Sequence, residues 1–264
     1  MDSITPGSGG DKKLDEGRLK RRSRPVLVAD AIKALVVEKG LAAGDRLPSE
    51  PEMIARFGMA KGTIREAMRL LEAQGLVETK TGPGGGSFIK QVSNERARAL
   101  LANYFYFQDL TVADIYQLRR LLEPELAASL AGHLDEAAIG ELEAIVASYS
   151  EPPKSFEDER EQHIRSLSFH AALARHADNA LLGFLIDFMA SILADMTIHR
   201  KLYLPSNIEL WSRGRAHQID LIAALRKGDA EAARKIMRDH MELAQAQMER
   251  QEAAIAKRFI DGHQ

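Results

Sequence analysis

The chain has 264 residues, 45% of them hydrophobic, and a formal net charge of −2, which is enough for one large or two modest domains. It contains no cysteine, which excludes disulfides and thiolate metal sites and favours a reducing compartment. No uninterrupted apolar run approaches ~18 residues. Residues 1–17 lack the apolar segment of a signal peptide, so we expect a cytoplasmic protein with no membrane partner.

Charge is distributed unevenly along the chain. Residues 1–90 hold 16 Lys and Arg against 12 Asp and Glu, whereas residues 91–264 hold 20 against 26. A basic first third followed by an acidic remainder predicts two functions, the first of them close to an anionic polymer.

Three helices and a hairpin follow the N-terminal segment. Apolar residues at helical spacing predict a helix over 26–39. Ser49, with Glu52 three residues later, is typical of the N-cap of a short helix that ends at Gly58. A third helix is predicted over 61–74, and two alternating segments, LVETK and GSFIK, then form strands joined by TGPGG. This order is that of a winged helix-turn-helix.

Beyond Lys90 the sequence predicts only helices, over 94–108, 111–132, 135–149, 156–176, 178–200, 206–227 and 229–258. The predicted fold is therefore mainly α, with a winged helix-turn-helix followed by an antiparallel all-α bundle of about seven helices. The predicted domains are a flexible basic tail (1–24), the winged helix-turn-helix (25–90), a linker (91–95) and the helical domain (96–258).

The third helix and the hairpin carry the chemistry expected of a DNA-binding surface. Lys61, Arg65 and Arg69 are spaced i, i+4, i+8 and therefore share one helix face. Glycines at the hairpin tip allow close approach to a duplex backbone and offer N–H groups to phosphate. The predicted DNA-binding residues are Ser49, Lys61, Gly62, Thr63, Arg65, Arg69, Gly82, Gly84 and Gly85.

Two alternatives compete with the DNA-binding interpretation. The basic stripe could be a solvated helix face. The glycine-rich loop could instead cradle a phosphate in an enzyme, but such loops lie between a strand and a helix. Here a strand follows the loop, so the enzyme alternative fails.

One stretch resembles the DNA-binding domain of the GntR family of bacterial transcription regulators. It is GDRLPSEPEMIARFGMAKGTIREAMRLLEAQGLVE, together with the glycines and Phe88 after it. Three later stretches resemble the FadR-type helical effector domain of this family, called FCD. They are LRRLLEPELAASLA, FHAALARHADNALL and HQIDLIAALRKGDAEAARKIMRDH. The resemblance implies a ligand-responsive homodimer, more often a repressor, on a near-palindromic operator. Pro51 stands where the family commonly has a base-reading arginine, which shifts base readout to Lys61, Thr63, Arg65 and the wing.

Three histidines have positions that suggest a metal site. His217 precedes the turn at 228–229 by 11 residues and His240 follows it by 11, so an antiparallel pair of helices would bring them to the same height. With His170 on an earlier helix they could bind a divalent ion, zinc being the first candidate. The resemblance implies a fourth ligand, an aspartate, at the position that Ser166 occupies. Single histidines are more often structural residues.

The resemblance also implies an effector site, for which Arg119 and Asn179 match family positions. The expected effector is a small carboxylate or a sugar acid, which Arg119 would bind. Arg119 could instead pair with Glu123 on the helix surface, and Asn179 could simply cap a helix. A metal-dependent hydrolase and a ligand-independent architectural DNA binder are the competing functions.

Overall fold

The computed structural model describes residues 23–261, with side chains described up to residue 254. Residues 1–22, most of the predicted basic tail, lie outside the described part. The described chain forms two compact units, one up to Arg96 and one from Ala97 onward. Helix α4 (Asn94–Tyr106) begins at the residue where the sequence predicts a helix, within the last residues of the predicted linker.

The first unit has the predicted order of helices, which are α1 (Arg24–Glu38), α2 (Glu50–Phe57) and α3 (Lys61–Gln74). Glycines end the second and third helices because Gly58 and Gly75 adopt the left-handed conformation, with φ of 62° and 78°. The Glu52 carboxylate accepts the N–H of Ser49 at 2.7 Å, as the capping-box pattern predicts. The core of the unit comprises Val28, Ala29, Ile32, Leu47, Met53, Ile64, Ala67, Leu71 and Val77.

The wing is a two-stranded antiparallel hairpin of β1 (Val77–Lys80) and β2 (Gly86–Ile89). Its register pairs Val77 with Ile89 and Lys80 with Gly86. An isolated bridge between Arg46 and Phe88 joins the loop before α2 to the hairpin. This bridge anchors the wing to the helical part of the unit, a contact that the sequence patterns did not predict.

The second unit is a bundle of helices, as predicted. After α4 come α5 (Val112–Leu130), α6 (Glu136–Ala147), α7 (Phe156–Ala174), α8 (Ala180–His199), α9 (Ile208–Lys227) and α10 (Ala230–Asp261). Helix α10 packs along α5 and α9, and α7 packs on α8. This packing brings buried polar residues of α5, α7 and α10 together around one small cavity.

Among the described residues, helix α8 is long and apolar enough to cross a membrane by length and composition, with a mean hydropathy of 1.8. The sequence contains no apolar run that approaches ~18 residues, which had predicted no such segment. In the structure its Ile186 and Leu193 are fully buried within the bundle. The core helices of soluble proteins can be equally long and apolar, so α8 is weak evidence for a membrane span.

Candidate functional site

The basic face of α3 is open to solvent. The side chains of Lys61, Arg65 and Arg69 retain 60%, 57% and 74% of their accessible surface. On the opposite side of the helix, Ile64 and Leu71 are buried in the core. The helix thus combines a packed inner face with an outer row of cations, as insertion into a major groove requires.

An acidic residue, Glu50, lies among these cations. Its carboxylate accepts from Arg65 Nε at 2.7 Å and pairs with Lys61 Nζ at 3.2 Å. The hydrogen bond from Arg65 is the main cause of a lowered Glu50 pKa. Glu50 therefore pairs with both cations on the exposed face. The sequence does not single out Glu50 as part of this face, because a glutamate in the first turn of a helix is ordinarily explained by the helix dipole.

The wing tip only partly matches its predicted role. Gly82 and Gly84 have φ of 94° and 78°, and a Cβ at either position would meet no atom within 4 Å, so both are open to a duplex. Gly85 differs because its N–H donates to the Gly82 carbonyl at 2.8 Å. Its own carbonyl accepts from Arg46 Nη2 at 2.6 Å. The prediction of a free backbone N–H at Gly85 is therefore wrong, and that residue closes the turn.

A groove of ≈ 480 Å³ runs between α2, α3 and the wing. Ser49, Arg65 and Arg69 line it together with residues of both strands. Gly62 and Thr63 lie in the first turn of α3, where a Cβ on Gly62 would meet open space. Of the predicted DNA-binding residues, Ser49, Arg65 and Arg69 therefore share one groove.

The second candidate site is a cavity of ≈ 50 Å³ inside the helical unit. Its wall includes Arg119 of α5, His170 of α7, Trp211 of α9 and His240 of α10. Arg119 and His170 are about 1% and 2% exposed, so their polar atoms are almost fully removed from water. Buried charged groups need partners, and the partners define what the cavity can bind.

Arg119 forms a buried ion pair with Glu123, and this pair continues to a histidine. Arg119 Nε donates to Glu123 Oε1, and Glu123 Oε2 lies 2.5 Å from His170 Nδ1. Burial alone would raise the Glu123 pKa, but the charges of Arg119 and His170 lower it to about 2. The predicted pairing of Arg119 with Glu123 is present, but it is buried and not on the helix surface.

The histidines His170 and His240 meet nitrogen to nitrogen. Their Nε2 atoms are 3.2 Å apart, and the rings are parallel within 3° with centroids 5.2 Å apart. Two nitrogens that bind one tetrahedral zinc ion through Zn–N bonds of ≈ 2.0–2.1 Å lie roughly 3.3 Å apart, close to the 3.2 Å found here.

The remaining predicted metal ligands do not complete a site. His217 meets His240 edge-on at 5.7 Å between centroids but is not part of the cavity wall. Gln218 Nε2 donates to Ser166 Oγ at 3.2 Å, so this serine is engaged in a hydrogen bond and supplies no anionic ligand. Within the described residues no group of three or more His, Asp or Glu has metal-binding geometry. The zinc site at His170, His217 and His240 therefore stays a prediction.

Asn179 lies outside the cavity. Its exposed side chain accepts from the N–H groups of Leu181 and Leu182 and thereby caps α8. The structure therefore supports the helix-capping interpretation of Asn179, and we leave it out of the proposed ligand site. Sequence reasoning missed Gln162 and considered His163 only as a metal ligand too far from His170, yet both residues project from α7 into the cavity wall.

His163 gives a prediction for the pH dependence of stability. Burial, aided by the nearby Arg119 charge, lowers the His163 pKa to about 4, against 6.5 for an ordinary histidine. Between pH 6.5 and 4, His163 is protonated in the unfolded chain but neutral in the folded chain. The free energy of unfolding therefore falls as pH falls from 6.5 towards 4. The free energy of unfolding, measured in urea titrations at several pH values, should change less steeply with pH in His163→Gln, by up to about 1.4 kcal/mol per pH unit. Parallel curves for the two proteins would contradict the prediction.

Comparison with known proteins matches each of the two units to a family model. A family model described as "Bacterial regulatory proteins, gntR family" matches residues 26–89, and one described as "FCD domain" matches residues 114–243. The Glc operon transcriptional activator of Escherichia coli K12 is 27% identical over 66% of this chain and 70% of its own length. The HTH-type transcriptional regulator LutR of Bacillus subtilis is 30% identical over 62% and 73%, respectively.

A solved structure shares the fold. Streptococcus agalactiae GntR superimposes with a TM-score of 0.56 at 22% sequence identity, covering 84% of this chain and 99% of its own. At this identity the similarity concerns the fold alone.

Proposed function

The chain belongs to the GntR family and is a DNA-binding transcription regulator with an FCD domain, and on this premise we propose that it is a repressor whose operator affinity is lowered by a small organic acid in the helical cavity. The observation that carries the DNA-binding part is the exposed row of Lys61, Arg65 and Arg69 above a buried inner face. The effector is a small carboxylate or a sugar acid, for which Arg119 is the charged partner. We place the protein in the cytoplasm.

We propose that the regulator acts as a homodimer. Large apolar side chains are exposed in the single chain, among them Leu118 and Leu121 on α5, which are 50% and 64% exposed. These two leucines are three residues apart and share one face of α5, and exposed apolar faces mark interaction sites, which we assign here to a second copy. A two-fold symmetric protein reads a near-palindromic site, so the operator should consist of two inverted half-sites.

The hydrolase alternative receives no support from the geometry. A metal hydrolase needs converging ligands and a carboxylate positioned as a general base. The neighbouring carboxylate of Glu123 is held by Arg119 and His170, and is therefore not free to act as that base. We therefore propose no catalytic role.

The function is tested by selecting duplexes from a random DNA library with the full-length protein. Titration at fixed salt should show the selected duplex bound at least ~10³-fold more tightly than a shuffled one. The selected sequences should contain an inverted repeat, and sedimentation should show a dimer on each duplex. A ratio near one would support the architectural binder, and a single asymmetric half-site would contradict the dimer.

A further inference from the structure

A carboxylate lies in the groove that the predicted DNA-binding cations share. Glu50 is the first residue of α2 and lines this groove together with Arg46, Arg65 and Arg69. Its side chain retains 32% of its accessible surface, so it is accessible from the groove. A negative charge at such a position repels phosphate and weakens binding to every DNA sequence. The helix dipole explains a glutamate in a first turn, but not its contact with two cations of the neighbouring helix.

The two carboxylate oxygens of Glu50 bind different cations. Oε2 accepts from Arg65 Nε at 2.7 Å, and Oε1 lies 3.2 Å from Lys61 Nζ. Lys61 and Arg65 are four residues apart on α3, so the carboxylate spans one turn of that helix. Exposed ion pairs contribute little to the stability of a fold, so this arrangement is explained by its effect on the two cations.

The contact with Glu50 leaves one edge of the Arg65 guanidinium available. The group carries five N–H donors in one plane, one on Nε and two on each terminal nitrogen. Among the hydrogen bonds of the described residues, Arg65 uses Nε and neither Nη1 nor Nη2. Its terminal edge, where one N–H of each Nη atom points in the same direction, can therefore meet a base.

Two parallel donors select one base in the major groove. Guanine presents two adjacent acceptors there, N7 and O6, and an arginine binds both at once. Adenine presents one acceptor beside a donor, thymine one acceptor beside a methyl group, and cytosine a donor. An Arg65 side chain whose Nε is already bound should therefore read guanine through Nη1 and Nη2.

We propose that Glu50 is a specificity-determining residue of the DNA-binding unit, which orients Arg65 so that its terminal edge reads a guanine in each operator half-site. Glu50 also competes with phosphates for Arg65 and Lys61, so these cations contribute less to the binding of unrelated sequences. Restricting Arg65 before the duplex arrives lowers the conformational entropy that the base contact costs. The inference rests on the proposed function, since it requires that α3 reads the operator.

Glu50→Gln tests this proposal, because it keeps the shape of the side chain and removes its charge. The full-length protein is titrated at fixed salt against the selected operator and a shuffled duplex. The preference for operator, expressed as the ratio of the two Kd values, should fall at least about tenfold, with tighter binding of the shuffled duplex. The log–log salt dependence on shuffled DNA should steepen by about one for each cation that gains a phosphate contact. An unchanged ratio, or equal weakening on both duplexes, would overturn the proposal.

Glu38→Gln is the matched control. It removes the same charge from the same unit, but Glu38 lies on α1, is 70% exposed and pairs with Arg56 outside the groove. Its long-range effect on attraction to DNA is the same for all sequences, so the ratio of the Kd values should be unchanged. A ratio that falls as much as in Glu50→Gln would show that net charge, and not the position of Glu50, sets specificity.

A modified base tests the guanine contact in the unaltered protein. Replacing each guanine of the half-sites in turn by 7-deazaguanine removes the N7 acceptor alone. At one position this should weaken binding by the unaltered protein at least about tenfold, with a much smaller effect on Arg65→Ala. The absence of any such position would overturn the guanine assignment.

Arg65→Ala separates failure of this inference from failure of the proposed function. Loss of operator preference in Arg65→Ala, together with unchanged preference in Glu50→Gln, would overturn the role of Glu50 alone. Operator preference that is retained in Arg65→Ala would contradict the proposed DNA-binding surface itself.

Discussion

Replacing Arg65 by alanine should abolish specific binding to the selected operator while leaving the protein folded. The side chain is 57% exposed, so its removal opens no cavity in the core. A bidentate contact to a base contributes about 1–3 kcal/mol of discrimination, and a dimer makes that contact twice. Titration at fixed salt should therefore show a loss of about 2–6 kcal/mol on the operator and a much smaller loss on shuffled DNA.

Arg56→Ala is the matched control for this prediction. It removes the same charge from the same unit, but Arg56 lies on α2 and pairs with Glu38 of α1 at 3.5 Å. Its effect should be similar on operator and shuffled duplexes, since a charge that does not read bases changes affinity for all sequences alike. If Arg65→Ala also weakened both duplexes equally, α3 would not be the helix that reads the operator.

Replacing Glu123 by methionine should destabilise the helical unit by about 3–5 kcal/mol, because it leaves the Arg119 charge buried without its partner. Urea unfolding followed by fluorescence measures this unit alone, since the single tryptophan, Trp211, belongs to it. The Glu123 pKa is lowered to about 2 from 4.5, so its contribution is present above 4.5 and is lost as pH falls towards 2.

The double variant Arg119→Met/Glu123→Met provides the control. Replacing a buried ion pair by apolar side chains of similar volume is often close to neutral, whereas removing one partner is not. The double variant should therefore be more stable than Glu123→Met alone. Equal or greater destabilisation in the double variant would show that the charge pair is not the cause of the loss.

Features of the fold that depend on local signals could be predicted from the sequence. The bounds of α3 and the position of the wing follow from apolar spacing and from Gly75, whose left-handed conformation ends the helix. The seven helices predicted after Lys90 correspond to α4 through α10 for the same reason. The exposure of Lys61, Arg65 and Arg69 also follows from helical periodicity alone.

Features that depend on contacts between distant segments could not be predicted. Equal spacing around a turn correctly brought His217 and His240 near each other, but periodicity does not specify which ring nitrogens converge. Ring orientation depends on Glu123, which is 47 residues from His170 in the sequence. The Gly85 carbonyl likewise accepts from Arg46, which is 39 residues away.

A small acid in the helical cavity should control DNA binding by the other unit. The most direct measurement is fluorescence anisotropy of the selected operator, titrated with the full-length protein with and without a saturating small carboxylic acid that calorimetry shows to bind. Coupling between sites is typically 5–150-fold, so we expect the Kd for operator to rise by about this factor. An operator Kd that stays constant while calorimetry shows the acid bound would contradict the account.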